Sequence, residues 1–155
     1  MAEIYMREAI RLALDAVRSK CGGPFGAVIV RNDQIIGRGS NRVLEKKDPT
    51  AHAELEAIRA ACVHLGSYDL SGCEIYSSCE PCPMCLGAIY WARIGKVYYG
   101  AGRDDAAEIG FDDTRIYQEM AKEHHCRSIT MENLMREEAL CAFREWVCCE
   151  HKIIY

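Results

Sequence analysis

Hydrophobic positions along the chain alternate between the period of a helix and the period of a strand. Residues 3–19 carry apolar side chains at three- and four-residue intervals, which predicts an amphipathic helix. Two apolar runs, 27–30 and 35–36, flank a polar turn and predict a β-hairpin. The remaining predicted elements are helices at 51–64, 82–92 and 137–149 and strands at 74–77, 96–100 and 128–131.

A hairpin followed by alternating strands and helices is typical of an α/β domain. We therefore expect a three-layer α/β/α sandwich, in which helices cover both faces of a mixed sheet of about five strands. The chain has 155 residues and contains no repeat, linker or low-complexity tract. This length predicts one domain that spans residues 1–155.

Composition narrows the classes of partner. The formal net charge is −4, and the densest basic run, Lys46-Lys47, lies between acidic residues, so a nucleic-acid partner is disfavoured. The N-terminus is acidic where a secretory segment would be basic and apolar, and no apolar stretch has the length of a membrane span. We expect no membrane association and a cytoplasmic location. The ten cysteines should then be reduced thiols.

Two short motifs carry recognisable chemistry. His52-Ala53-Glu54 is followed, about thirty residues later, by Pro81-Cys82-Pro83-Met84-Cys85. One histidine and two cysteines make a three-ligand zinc site whose fourth tetrahedral position stays open for water. Cys82 and Cys85 share one face at a helix N-terminus, where the dipole stabilises thiolates. The sequence thus predicts Zn²⁺ bound by His52, Cys82 and Cys85.

Glu54 is the predicted catalytic residue. Two thiolates neutralise the zinc ion, so the metal acidifies its water less than an all-histidine site would, and a carboxylate must supply the missing basicity. Residues two apart diverge inside a regular helix, so His52 and Glu54 can share a site only near a helix start, for which Thr50 is a candidate cap. We expect Glu54 to move a proton from zinc-bound water to a ring nitrogen and to help protonate departing ammonia.

Other ligand sets are open at this point. Cys79 extends the three-residue ladder, so Cys79 and Cys82 could be the ligand pair. All three cysteines with His52 would make a closed structural zinc site, in which Glu54 has no purpose. His124-His125-Cys126 and Cys148-Cys149 with His151 are weaker candidates, because adjacent side chains in such clusters point in different directions.

With these motifs, the chain resembles the cytidine deaminase superfamily. Its likeness to the bacterial guanine deaminases is closer and rests on residues 22–28, 48–54, 78–93 and 110–113. The resemblance implies hydrolytic conversion of guanine to xanthine and ammonia by zinc-bound hydroxide. It also implies a homodimer whose subunits exchange their C-terminal tails. The Phe111-Asp112-Asp113 segment and the C-terminal tyrosine carry the guanine assignment, because the zinc motif is common to the superfamily.

The resemblance also implies roles for six substrate-binding residues. Asn41 would read the polar edge of the purine, and Asp113 would accept hydrogen bonds from its N–H groups. The backbone N–H of Ala53 would contact the substrate carbonyl. The aromatic side chains of Phe25 and Trp91 would sandwich the base. Tyr155 would close the pocket of the partner subunit.

Each substrate residue has a structural alternative. Asn41 could finish a turn, Asp113 could cap a helix, and Tyr155 could dock on its own subunit. Phe25 and Trp91 could belong to the core.

Three competing functions share some of these features. The same chemistry could act on guanosine, cytosine or an aminotriazine. A tRNA adenosine deaminase shares the metal motif, but the acidic balance and a pocket closed by tyrosine count against it. A zinc-stabilised binding module would leave Glu54 incidental.

Overall fold

The computed structural model describes residues 2–155, whose helices and strands fall into two units. The first ends at Asp113 and the second is Thr114–Tyr155. The first contains, in chain order, α1 (Ala2–Arg18), β1 (Gly26–Arg31), β2 (Gln34–Ser40), α2 (Val43–Lys46), α3 (Ala53–Leu65), β3 (Glu74–Cys79), α4 (Pro83–Trp91), β4 (Lys96–Ala101) and α5 (Arg103–Glu108). The second contains α6 (Thr114–Ala121), one 3₁₀ turn (His124–Cys126) and α7 (Arg136–Cys148).

The sheet has the strand order β2-β1-β3-β4. Strand β1 is antiparallel to both β2 and β3, whereas β3 and β4 are parallel, which confirms a mixed sheet. Asn32 and Asp33 both have positive φ in the tight turn between β1 and β2, the conformation that matches the twist of a two-residue hairpin. Helix α4 is the crossover that parallel strands require, so its N-terminus follows directly from the end of β3.

Alternating side chains of the sheet bury two different cores. On one face, Tyr5 of α1 packs with Val28, Val30 and Tyr76. The other face contributes a cluster with α3 and α4 that contains Ala27, Ile29, Ala53, Ala57, Ala61, Leu70, Cys73, Ile75, Ile89 and Ala92. Helices therefore cover both faces, and the three-layer α/β/α prediction is confirmed.

Glycines in β2 bring α3 unusually close to the sheet. A Cβ atom on Gly39 would lie 2.1 Å from the carbonyl oxygen of Ala53, and one on Gly37 would lie 2.4 Å from that of Ala57. Both distances are far inside van der Waals contact, so only glycine allows this approach. The close approach fixes the first turn of α3, where two of the predicted site residues lie.

The predicted fifth strand at 128–131 is wrong. Polar and apolar side chains alternate along Ser-Ile-Thr-Met, but this segment, all of which the structure describes, belongs to no strand. Glu119 of α6 accepts hydrogen bonds from the Ser128 backbone N–H at 2.6 Å and from its hydroxyl at 3.0 Å. Arg127 donates to the carbonyl oxygens of Met120 and Lys122. These local bonds hold the segment as a loop against α6.

The second unit has no core of its own. Within Thr114–Tyr155, all of which the structure describes, no side chain is classed as buried. Helix α7 exposes Phe143 and Val147 at 69% and 65%, one turn apart on one face. In the part of the chain that is described, no helix is both long and apolar enough to cross a membrane.

Glu8 links α1 to β2 and should make stability depend on pH. Its carboxylate accepts hydrogen bonds from Arg11 and from Arg38, which together lower the pKa of Glu8 to about 2 from an ordinary value of 4.5. A folded-state pKa below the unfolded value contributes stability above about pH 4.5, and this contribution is lost as the pH falls towards about 2.

We expect Glu8→Gln to lower the free energy of unfolding at neutral pH and to flatten its decrease between about pH 4.5 and pH 2. Urea unfolding of both proteins after chelator treatment measures this without a contribution from metal release. An equally steep decrease in the variant would show that the two arginine contacts do not stabilise the fold.

Candidate metal centre

Helix α3 begins at the first motif. His52 is its N-cap residue, with extended backbone angles of φ −73° and ψ 154°, so its side chain leaves the helix axis while Glu54 lies in the first turn. Two residues that diverge inside a helix can therefore face one site here. The prediction that Thr50 caps the helix is wrong, because its backbone N–H and hydroxyl both donate to Asp48 within the preceding turn.

Helix α4 begins at the second motif. Cys82 is its N-cap residue and Pro83 its first residue, where the missing N–H costs no helical hydrogen bond. Cys85 then lies one turn into the helix and is fully buried. The N-terminal ends of α3 and α4 thus both contribute to one site, as the sequence predicts.

The three predicted ligands form a tripod. His52 Nδ1 lies 3.6 Å from Cys82 Sγ and 3.5 Å from Cys85 Sγ. All three donor atoms lie within 4.8 Å of one another. With Zn–S near 2.3 Å and Zn–N near 2.0–2.1 Å, a tetrahedral angle separates nitrogen and sulfur by about 3.6 Å. The tripod therefore has the size and the donor set that a tetrahedral zinc ion requires.

The two thiols differ in acidity. The contacts of Cys82 with Cys85 and His52 lower the pKa of Cys82 to about 4. The contact with Cys82 and burial raise the pKa of Cys85, whose thiol donates to Glu54 Oε2 at 3.4 Å. The same contact with Cys82 raises the pKa of His52. A cysteine pair with one acidic thiol beside a histidine is suited to a divalent cation, which would replace the remaining thiol proton of Cys85.

Cys79 lies outside the tripod. Its thiol donates to the carbonyl oxygen of Gly102 at 3.7 Å, and burial raises its pKa to about 11. The Cys79–Cys82 pair is therefore excluded, and so is the closed four-ligand site. Among the described residues, His52, Cys82 and Cys85 form the single cluster able to hold a metal, so the histidines and cysteines at 124–126 and 148–151 form none.

Glu54 is buried beside the tripod. Its side chain is 5% exposed, and this burial raises the pKa of the carboxyl group. The two oxygens have different surroundings: Oε1 accepts a hydrogen bond from the Ser77 hydroxyl at 3.0 Å, and Oε2 lies 3.4 Å from Cys85 Sγ. A carboxyl group with a raised pKa at the edge of a metal tripod is suited to proton transfer.

Asn41 is buried next to the glycine-rich segment that precedes β1. Its Oδ1 accepts from the backbone N–H groups of Gly23 and Val43, each at 3.2 Å, so it does stabilise a turn. A Cβ on Gly22 would lie 2.0 Å from Oδ1, so this turn requires glycine there. Among the described residues its NH2 group has no acceptor, and it remains available as a donor. Ala53, the first residue of α3, has a backbone N–H outside the helical hydrogen-bond ladder.

Phe25 and Asp113 are held by neighbours in the same unit. Phe25 meets the ring of Phe111 edge to face at 5.0 Å and packs partly against the core beneath α3. Asp113 Oδ1 accepts from Arg103 Nε at 3.0 Å, and the carboxylate is mostly shielded. The alternative that Asp113 caps α6 stays a prediction.

Trp91 and Tyr155 are exposed. Trp91, the last residue of α4, is 71% exposed, and Tyr155 is 68% exposed. The core alternative for Trp91 is therefore wrong. Their roles as a wall and as a closure of the pocket stay predictions.

Two residues of the site are absent from the sequence-based expectations. Ser77 contacts Glu54, and Arg103 contacts Asp113. Ser77 could have been noticed as a polar residue between Ile75 and Cys79, at a position where the alternation of β3 predicts a buried side chain. No sequence signal pairs Arg103 with an acid ten residues away, because a short helix and a loop intervene.

The fold and this centre define a zinc-dependent deaminase. Residues 1–101 match the cytidine and deoxycytidylate deaminase zinc-binding region, and the chain belongs to that family. A guanine deaminase of Bacillus subtilis is 51% identical over 93% of this chain and 92% of its own length. An X-ray structure of guanine deaminase from that species has a TM-score of 0.95, with 50% identity, and the match covers 99% of this chain and 98% of the other.

Two further relatives mark the range of the family. A solved structure described as guanine deaminase from Nitrosomonas europaea has a TM-score of 0.70 and 31% identity, covering 96% of this chain and 86% of the other. A tRNA-specific adenosine deaminase of Bacillus subtilis is 44% identical over 64% of this chain and 61% of its own length. The likeness to the guanine deaminases thus includes the C-terminal third, and the likeness to the tRNA enzyme does not extend over that much of the chain.

The ligand assignment can be tested with a matched pair of cysteine variants. We expect Cys85→Ser to lose zinc during dialysis, because two remaining ligands cannot hold the ion. Cys79→Ser should retain about one zinc per chain, since its thiol donates to the carbonyl oxygen of Gly102 and lies outside the tripod. Elemental analysis of both purified variants provides the measurement. Zinc lost from Cys79→Ser and kept by Cys85→Ser would contradict the tripod.

Proposed function

We propose that the protein is a zinc-dependent guanine deaminase that converts guanine and water to xanthine and ammonia. The observation that carries this function is the buried Glu54 carboxyl group beside a tripod of His52, Cys82 and Cys85. The likeness to guanine deaminases along nearly the whole chain supports guanine as the substrate.

The site residues divide the work of hydrolysis. Zinc, when bound by the tripod, supplies a Lewis acid that activates water for attack on the carbon carrying the amino group. Glu54 Oε2 lies 3.4 Å from Cys85 Sγ, next to the position that the metal would occupy. It can therefore take a proton from the water and deliver it to the ring nitrogen next to the attacked carbon. Glu54 then assists proton transfer to the leaving amine, which departs as ammonia. Burial raises the pKa of Glu54, which makes its carboxylate a stronger base for taking this proton.

Recognition of guanine is assigned to groups around this centre. The free NH2 of Asn41 and the backbone N–H of Ala53 are donors that suit the carbonyl oxygen and ring acceptors of the base. Asp113 has one oxygen on Arg103, which leaves Oδ2 to accept from the purine N–H groups. Phe25 and Trp91 would supply flat apolar surfaces for the base.

The alternatives differ in what they leave unexplained. A zinc-stabilised binding module gives no role to a carboxyl group buried beside the metal, although such burial is costly. Guanosine, cytosine and aminotriazines would use the same metal chemistry, but they differ from guanine in ring system or in the substituent on N9, and so in the groups that they offer to Asn41 and Asp113. A tRNA substrate would need a basic surface and an open pocket, and the net charge of −4 opposes it.

We infer that residues 1–155 act as one deaminase domain within a homodimer, with the tail of each subunit completing the partner's site. The second unit has no buried side chain and exposes Phe143 and Val147 together with the terminal Ile154 and Tyr155. Apolar surface of this kind becomes stable when a second copy covers it. Tyr155 would then close the partner's pocket over the base. Ten thiols suit a reducing cytoplasmic location.

The proposed activity is tested by a panel of substrates. Zinc-loaded protein should release ammonia and form xanthine from guanine, with far slower turnover of guanosine, cytosine, an aminotriazine and a tRNA anticodon stem. Glu54→Gln should retain zinc and lose at least about 1,000-fold in kcat, because the amide cannot transfer the proton. Faster turnover of the tRNA stem would reverse the substrate assignment, and no ammonia from any substrate would favour a binding module.

Subunit exchange of the tail is tested by complementation. Glu54→Gln and Tyr155→Ala are each expected to be poorly active alone. In a mixed dimer with exchanged tails, one site combines the intact Glu54 with the intact Tyr155. Random mixing by co-refolding should therefore restore about a quarter of the wild-type sites. No recovery in the mixture, with dimers present, would show that Tyr155 serves its own subunit.

A further inference from the structure

Ser77 lies where a polar side chain is costly. It is 1% exposed on β3, and the residues on the same face of the sheet include Ala27, Ile29 and Ile75. An apolar side chain would pack in these surroundings without the desolvation that a hydroxyl requires. The Ser77 hydroxyl finds its partner in Glu54 Oε1 at 3.0 Å.

The hydrogen bond from Ser77 distinguishes the two oxygens of Glu54. Oε1 accepts from Ser77 on the sheet side, and Oε2 accepts from the Cys85 thiol at 3.4 Å, at the edge of the metal tripod. A carboxylate turns easily about its last torsion, so one fixed oxygen determines where the other points.

The strand that carries Ser77 is a rigid support. Ser77 pairs with Ala27 of β1 on one side and with Tyr99 of β4 on the other, so its backbone is held between two neighbouring strands. The serine side chain has one torsion between backbone and oxygen. Its hydroxyl is therefore better fixed than a long side chain or a loop residue would be.

We propose that Ser77 is a positioning residue for the deamination reaction: its hydroxyl anchors Glu54 Oε1 so that Oε2 faces the metal position between His52, Cys82 and Cys85. The proposal rests on the deaminase function given above. Ser77 does not touch the metal ligands' donor atoms or take part in proton transfer. Its effect should therefore appear in the chemical step, with little effect on metal binding or on the affinity for substrate.

Three variants separate the hydroxyl from the volume of the side chain. Ser77→Thr and Ser77→Val have the same shape and differ in the hydroxyl alone, and Ser77→Ala adds no atoms. We expect kcat for guanine to fall about 10- to 100-fold in Ser77→Ala, the range for losing a hydrogen bond to a charged group. KM should change less than about threefold, and zinc content should stay at about one per chain. Thr should exceed Val in kcat by about tenfold or more.

A structural measurement tests the anchor without relying on activity. In crystal structures of the zinc-loaded proteins, the wild-type Glu54 carboxylate should have one orientation, and that of Ser77→Ala should be rotated or divided between two. An unchanged single orientation in Ser77→Ala, or an unchanged kcat, would overturn the proposal, as would equal kcat values for zinc-loaded Thr and Val variants. Absence of guanine turnover in the wild type would instead reject the proposed function, while the crystallographic comparison would still decide the role of Ser77.

Discussion

The burial of one carboxyl group beside three metal ligands is the constraint on which the first unit depends. A buried acid is costly unless it is hydrogen-bonded, neutralised or placed next to a cation. Glu54 meets these conditions through Ser77 on β3 and through the tripod at the starts of α3 and α4. The sheet, the starts of α3 and α4 and the metal ligands must therefore be correctly positioned relative to one another. A displacement of any of them would leave the Glu54 carboxyl group without partners.

Small residues and helix termini set these relative positions. Gly37 and Gly39 allow α3 to lie against β2, which fixes the position of His52 and Glu54. Pro83 starts α4 immediately after Cys82, so the two cysteines lie on the first turn of the helix. The chemistry of the site thus depends on backbone geometry that is set within a few residues of each motif.

The sequence predicted most of the first unit because its signals are local. The spacing of His52, Glu54, Cys82 and Cys85, together with the helix start at Pro83, predicts the ligands, and the structure was needed to exclude Cys79. The hairpin, the mixed sheet and the three layers follow from periodicity. The cap at Thr50 was wrong because a turn around Asp48 engages its hydroxyl, and the strand at 128–131 was wrong because Glu119 satisfies the backbone of Ser128. The contacts of Ser77 and Arg103 join separate elements, so periodicity carries no information about them.

The placement of the ligands has a consequence for the architecture itself. His52 and the cysteine pair are about thirty residues apart in sequence and belong to different helices, with β3 between them. A cation at the tripod cross-links these helices and closes the intervening chain into a loop, so its binding free energy is also folding free energy. The ion that activates water would then also stabilise the fold, and its removal would loosen the helix starts that hold Glu54 in place.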